Sequence, residues 1–140
     1  MNRPYKKVLI IDDDEISNYI SQKLIEQSNV AETIISYDSA KEALKYLEDC
    51  FNTNSEIPDL ILLDINMPLM NGWDFLECLK EKAAIKKNKT SVYILSSSLY
   101  SKDFDTASKF NLVSGYVVKP LSKQKILEIS NGNLYEKSIV

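Results

Sequence analysis

Five side chains in this 140-residue chain combine into chemistry that none of them performs alone: Asp12, Asp13, Asp64, Ser96 and Lys119. Each stands at or just past the end of a short apolar run. If the runs are neighbouring strands, three carboxylates converge. Two carboxylates about 4 Å apart repel by roughly 4 kcal/mol at an effective dielectric near 20. A hard divalent cation relieves that repulsion, and Mg²⁺ keeps waters and an incoming phosphate oxygen in its shell. Lys119 adds a fixed positive charge and Ser96 a neutral donor. Such a set suits transfer of a phosphoryl group to a carboxylate nucleophile, where positioning and electrostatics carry the catalysis. The chain contains no histidine, so a phosphohistidine, a histidine base or a histidine metal ligand must belong to a partner.

The elements that position these residues alternate between strand and helix. Leu60 to Leu63 is too short for a helix and reads as a strand buried on both faces, with Asp64 at its end. Pro68 then stops regular structure, and Asn71-Gly72 marks a turn in which Gly72 can take φ > 0. A helix follows from Trp73 to Lys82, with Phe75, Leu76 and Leu79 inward. Upstream, the strand Val8 to Ile11 runs into Asp12-Asp13-Asp14-Glu15. Ile16, Ile20 and Leu24, with Tyr19 alongside, mark the apolar face of a helix to about Ser28. Thr33 to Tyr37 is a weaker strand. Ser39 to Glu42 reads as a capping box opening a helix whose inner face is Ala40, Ala43, Leu44 and Leu47. A polar loop spans about Cys50 to Pro58. Ser91 to Leu95 is a fourth strand, ending in Ser96-Ser97-Ser98, and a weak helical pattern covers Lys102 to Phe110. Gly115 to Val118 is a fifth strand closed by Lys119-Pro120, and Ser122 to Ser130 forms a last helix. Five such units imply an α/β fold, a doubly wound open parallel sheet with right-handed crossovers. Open sheets of this kind place their chemistry at the C-terminal ends of the strands, where the strand order reverses.

Composition bounds the rest. The length suits a single domain, with a core from about 7 to 130 and a short tail, 131–140, too short for an output domain. Hydrophobic residues make up 44% and charged residues 26%, ordinary for a soluble globular protein. A net charge of −3 gives no bulk field for nucleic acid. Cys50 and Cys78 lack metal-type spacing and read as reduced thiols of a cytoplasmic protein. The start of the chain has neither signal-peptide character nor a membrane span. Taken singly, the site residues have plainer readings. Asp12 to Glu15 suits a helix N-terminus, Asn71-Gly72 is a turn, and Ser96 and Lys119 are polar strand ends. Lys80, Lys82, Lys86, Lys87 and Lys89 read as a solvated helix end and connection. The joint pattern at four strand ends makes the functional case.

Those residues resemble the receiver domain of two-component response regulators over nearly the whole chain, from about Lys7 to Ser130. The matching motifs are Ile11-Asp12-Asp13-Asp14, Asp64-Ile65-Asn66-Met67-Pro68-Leu69-Met70-Asn71-Gly72, Ile94-Leu95-Ser96-Ser97, and Gly115-Tyr116-Val117-Val118-Lys119-Pro120. The resemblance implies a (βα)5 sheet of flavodoxin-like order 2-1-3-4-5, of the single-domain chemotaxis-regulator type. It implies Asp64 as phosphoacceptor, with Asp13 as a ligand of Mg²⁺ (or Mn²⁺) and Asp12 beside it holding one of the metal's waters. Asn66 would offer a backbone carbonyl to the metal. Ser96 would be the switch hydroxyl, Lys119 the phosphate-pairing lysine and Tyr116 the aromatic switch whose ring turns inward. The phosphoryl donor would be a sensor histidine kinase or a histidine phosphotransfer protein. Readout would pass to an unnamed protein across the face of the fourth helix, fifth strand and last helix. Neither nucleic acid nor membrane would be a direct partner, and the protein would be a monomer or a weak phosphorylation-dependent dimer. It would be no enzyme beyond its own phosphotransfer and dephosphorylation. The Lys119-Pro120 bond is expected to be cis. Ser96-Ser97-Ser98 departs from the family's usual serine or threonine followed by alanine. Two other readings compete: a Mg²⁺-dependent phosphohydrolase of the haloacid dehalogenase type, and a receiver-like binding module without phosphorylation. The first needs a second aspartate where this chain has Asn66.

Overall fold

The computed structural model describes residues 4–53, 55–97 and 101–131. Ser98 and the expected tail beyond residue 131 lie outside them, as does the side chain of Lys86. In chain order the elements are β1 (Tyr5–Ile11), α1 (Glu15–Ser28), β2 (Ala31–Tyr37), α2 (Ala40–Thr53), β3 (Leu60–Asp64), α3 (Gly72–Lys80), α4 (Ala83–Asn88), β4 (Ser91–Ser96), α5 (Ser101–Ser108), β5 (Val113–Val118) and α6 (Lys123–Ser130). The five strands form one parallel sheet in the order β2-β1-β3-β4-β5, the doubly wound arrangement expected from the sequence.

The central strands carry continuous apolar runs because both of their faces are covered. On one face Leu9, Ile11, Ile61, Leu63 and Ile94 pack with Ala43 and Leu47 of α2, Phe75 and Leu79 of α3, and Ala107 of α5. On the other, Val8, Ile10, Leu60, Leu62 and Leu95 pack with Ile25 of α1 and with Ile126 and Ile129 of α6. Burying one such side chain contributes about 1.5–3 kcal/mol. The sheet is therefore a rigid base, and the residues just past its strand ends inherit fixed positions.

Four local expectations change. The first concerns α1: Ile16, Tyr19 and Ile20 are exposed at 71, 63 and 51%, and the buried residues are Asn18, Ser21 and Ile25. The helix is turned by its polar anchor, because Asn18 Nδ2 donates to the carbonyl of Asp12 at 2.6 Å and lies 3.4 Å from that of Tyr37. The second concerns the segment after α3, which forms a separate short helix, α4, where a connection was expected. Lys80 and Lys82 nevertheless sit at the surface, paired with Glu77 at 2.7 Å and Glu48 at 3.8 Å. The third concerns Gly72, which is the first residue of α3 and needs space rather than a left-handed φ. A Cβ there would stand 2.7 Å from the Ile65 Cα and 2.9 Å from the Asp64 carbonyl oxygen. The left-handed residue of that loop is the exposed Leu69, at φ 68°. Asn71 caps α3 in a capping box: its Oδ1 accepts the Asp74 amide at 2.9 Å and its amide donates back to Asp74 at 3.2 Å. The helix α2 also runs on to Thr53, so the polar loop is shorter than expected. Of the capping box expected at its start, the hydroxyl of Ser39 accepts the Glu42 amide at 3.3 Å.

Candidate functional site

The strand order reverses between β1 and β3, and the acidic residues meet at that point. Ile11 pairs with Leu63, so Asp12 emerges beside Asp64. Asp12 and Asp64 are buried, at 1 and 5% exposure, and Asp13 faces solvent. One carboxylate oxygen from each of the three lies within 4.8 Å of the others. The acidic run after β1 divides its labour. Asp14 is the cap of α1, accepting the amides of Ile16 at 3.0 Å and Ser17 at 3.3 Å. Glu15 lies exposed in the first helical turn, so the plain helix-cap reading holds for this half of the run.

Lys119 crosses to these carboxylates from the end of β5. Its Nζ donates to Asp12 Oδ2 at 2.7 Å and stands 3.6 Å from Asp64 Oδ2. Its amide donates to the carbonyl of Ser96 at 2.7 Å, which fixes the backbone there; the Lys119-Pro120 bond is cis, as expected. Ser96 ends β4 opposite Val118 and is fully buried. The Asn66 amide donates to Asp64 Oδ1 at 3.1 Å, and its side chain is exposed. Tyr116 is 0% exposed and packs in the apolar cluster of α2, α3 and α5, so its side chain is already inward.

Burial and charge divide the two buried carboxylates. Burial pushes Asp64 up from 3.8 to about 6, against the opposing pull of the Asn66 amide and Lys119, and the neighbouring Asp12 pushes it the same way. Burial acts on Asp12 too, but the Lys119 ion pair, the Asp14 amide and the Ser17 hydroxyl overcome it and hold Asp12 below the usual carboxylate range. Lys119 ends up above the usual lysine value because its two carboxylates outweigh its own desolvation. Lys119 thus belongs mainly to Asp12, and Asp64 is the under-compensated acid that a cation would relieve.

Sequence reasoning missed Ser17 and Asn18. Ser17 Oγ donates to Asp12 Oδ2 at 2.9 Å, and Asn18 holds the Asp12 carbonyl. A signal was present: these are adjacent polar residues in a helix, five and six positions after an acid at a strand end.

Comparison with known proteins matches this arrangement. The family model for the response regulator receiver domain matches residues 8–131. The crystal structure of a two-component response regulator from Cytophaga hutchinsonii is 35% identical, with a TM-score of 0.83, covering 92% of this chain and 96% of that one. Response regulator Rcp1 of Synechocystis is 25% identical, covering 94% of this chain and 88% of its own. A structure of the Mn²⁺-bound form of Rcp1 has a TM-score of 0.69 at 25% identity, over 91 and 90% of the two chains. Two-component response regulator ORR1 of rice is 26% identical over 92% of this chain, which spans only 55% of the rice protein's length. The fold and the family match together place the chain in two-component signalling. The chain belongs to the response regulator receiver domains.

Proposed function

We propose that Asp64 accepts a phosphoryl group from a phosphohistidine on a partner protein, and that the resulting acyl phosphate switches the face formed by α5, β5 and α6. The observation that carries this reading is the burial of Asp64 among Asp12, Asp13 and Lys119, with oxygens close enough to share one cation. An ionised Asp64 oxygen attacks phosphorus as the P–N bond to the partner's imidazole breaks, and the electron pair stays on that nitrogen. Because these 140 residues contain no histidine, the reading puts the phosphoryl donor outside them, on a sensor histidine kinase or a histidine phosphotransfer protein.

The donor set consists of hard oxygens and fits Mg²⁺ or Mn²⁺. Asp13, Asp64 and the Asn66 carbonyl would hold the ion, with Asp12 beside it. Bound there, the cation neutralises charge on the phosphoryl oxygens. Lys119 pairs with a phosphoryl oxygen on Asp64, and the Ser96 hydroxyl donates to another through a charge-assisted bond stronger than a neutral one. Tyr116, a fully buried residue of β5, would couple that local change to the adjoining surface. With the extra helix α4 counted, this readout surface is α5–β5–α6, and it would meet another protein or a second copy of the chain.

The donor would dock on the exposed apolar side chains of α1. Ile16 and Ile20 border a depression of about 390 Å³, next to the site, that Leu95, Lys119, Pro120 and Leu121 complete. Among the described residues no helix is long and apolar enough to cross a membrane, and the free thiols Cys50 and Cys78 suit a cytoplasmic setting. The phosphohydrolase reading is disfavoured because Asn66, two residues past Asp64, carries no proton to give or take at neutral pH. Intact-mass measurement after treatment with a small acyl-phosphate donor tests the proposal. One added phosphoryl group is expected in the wild type only with Mg²⁺, and none in Asp64→Asn. Equal labelling of the two proteins would overturn it.

A further inference from the structure

We infer that Ser17 is a positioning residue for Asp12, holding that carboxylate in register when Lys119 turns to the phosphoryl group. This inference rests on the phosphoacceptor reading of Asp64. Asp12 Oδ2 takes two donors, Lys119 Nζ at 2.7 Å and Ser17 Oγ at 2.9 Å, and Oδ1 takes the Asp14 amide at 3.0 Å. At 1% exposure, Asp12 has little water to replace a donor it loses. Lys119 stands 3.6 Å from Asp64, so a phosphoryl group there competes with Asp12 for the same ammonium. Once that competition is lost, Ser17 is the side-chain donor left on Oδ2.

Ser17 is itself fixed for the task. Its amide donates to the capping carboxylate of Asp14 at 3.3 Å, and the next residue, Asn18, ties the helix to the Asp12 carbonyl at 2.6 Å. A helical serine more commonly bonds back to a carbonyl in its own helix. This hydroxyl instead leaves the helix for a side chain at the end of β1. Without it, a buried carboxylate either keeps Lys119 or rotates away from the cation site, and both outcomes weaken the phosphorylated state.

Removing a group that orients a metal-site carboxylate typically costs about 10–100-fold in metal affinity. Ser17→Ala is expected near the lower end, about tenfold weaker in Mg²⁺ and, at saturating Mg²⁺, similarly weaker for the phosphoryl mimic beryllofluoride. Calorimetric titration of the full chain reads both. Ser17→Thr restores the hydroxyl and should recover wild-type affinities, while Ser17→Val, of nearly the same shape, should not. That pair decides the matter even if the alanine variant fails to fold, and a purely structural role would not separate them. Wild-type affinities in Ser17→Ala or Ser17→Val, or no recovery in Ser17→Thr, overturn the inference and leave the function of Asp64 untouched. A wild-type protein that binds neither Mg²⁺ nor beryllofluoride overturns the phosphoacceptor reading and this inference together.

Discussion

Asp64→Asn should make the cation-free protein more stable than wild type above pH 6, and Mg²⁺ should erase the difference. Burial raises Asp64 from 3.8 to about 6 in the folded state. Between those values the folded chain holds a proton that the unfolded chain has released. Wild-type stability from this group is therefore complete below pH 3.8 and is lost as pH rises through about 6. Two pH units at 1.36 kcal/mol each give about 3 kcal/mol. Asparagine mimics the neutral acid and escapes the loss. The opposing 3.6 Å attraction to Lys119 is already contained in that net shift, so the expected gain is about 3 kcal/mol. In a domain of this size that is roughly 7–13 °C in Tm. Asp12 titrates in the opposite sense, gaining stability as pH rises, in both proteins. The assay is thermal unfolding in EDTA from pH 4 to 8, repeated with Mg²⁺. At a hundred times its Kd, Mg²⁺ returns about 2.7 kcal/mol to the wild type. Superimposable pH profiles for the two proteins in EDTA would refute the assignment of Asp64 as the uncompensated buried acid.

Three further substitutions probe the same region. Asp13→Ala should weaken Mg²⁺ binding by calorimetry far more than Glu15→Ala, because Asp13 alone of the two shares the oxygen cluster; similar losses would mean a diffuse acidic patch. Gly72→Ala should destabilise by about 1–3 kcal/mol in urea unfolding, because its Cβ would meet backbone at 2.7 and 2.9 Å; a neutral result would mean that α3 shifts freely away from Ile65.

Much of this protein is legible in its sequence. The runs Val8 to Ile11 and Leu60 to Leu63 announce strands buried on both faces, since no half-exposed strand dispenses with polar alternation. The residue types at the four strand ends point to the proposed chemistry, and the packed sheet brings Asp12, Asp13, Asp64 and Lys119 together as expected. The face of α1 was not legible. Ile16, Ile20 and Leu24 follow the helical period, yet only Leu24 joins the core, because Asn18 fixes the rotation of the helix by bonding to carbonyls on two strands. Periodicity reports which residues share a face; it does not report which neighbour that face meets. The role of Gly72 was hidden for a similar reason, because the close approach of Ile65 is a contact across a loop. Nor does the sequence show that Lys119 prefers Asp12 to Asp64, or that Ser17 shares its place. Those preferences depend on differences of about an ångström between side chains from β1, β3, β5 and α1, and only the packed sheet sets such distances.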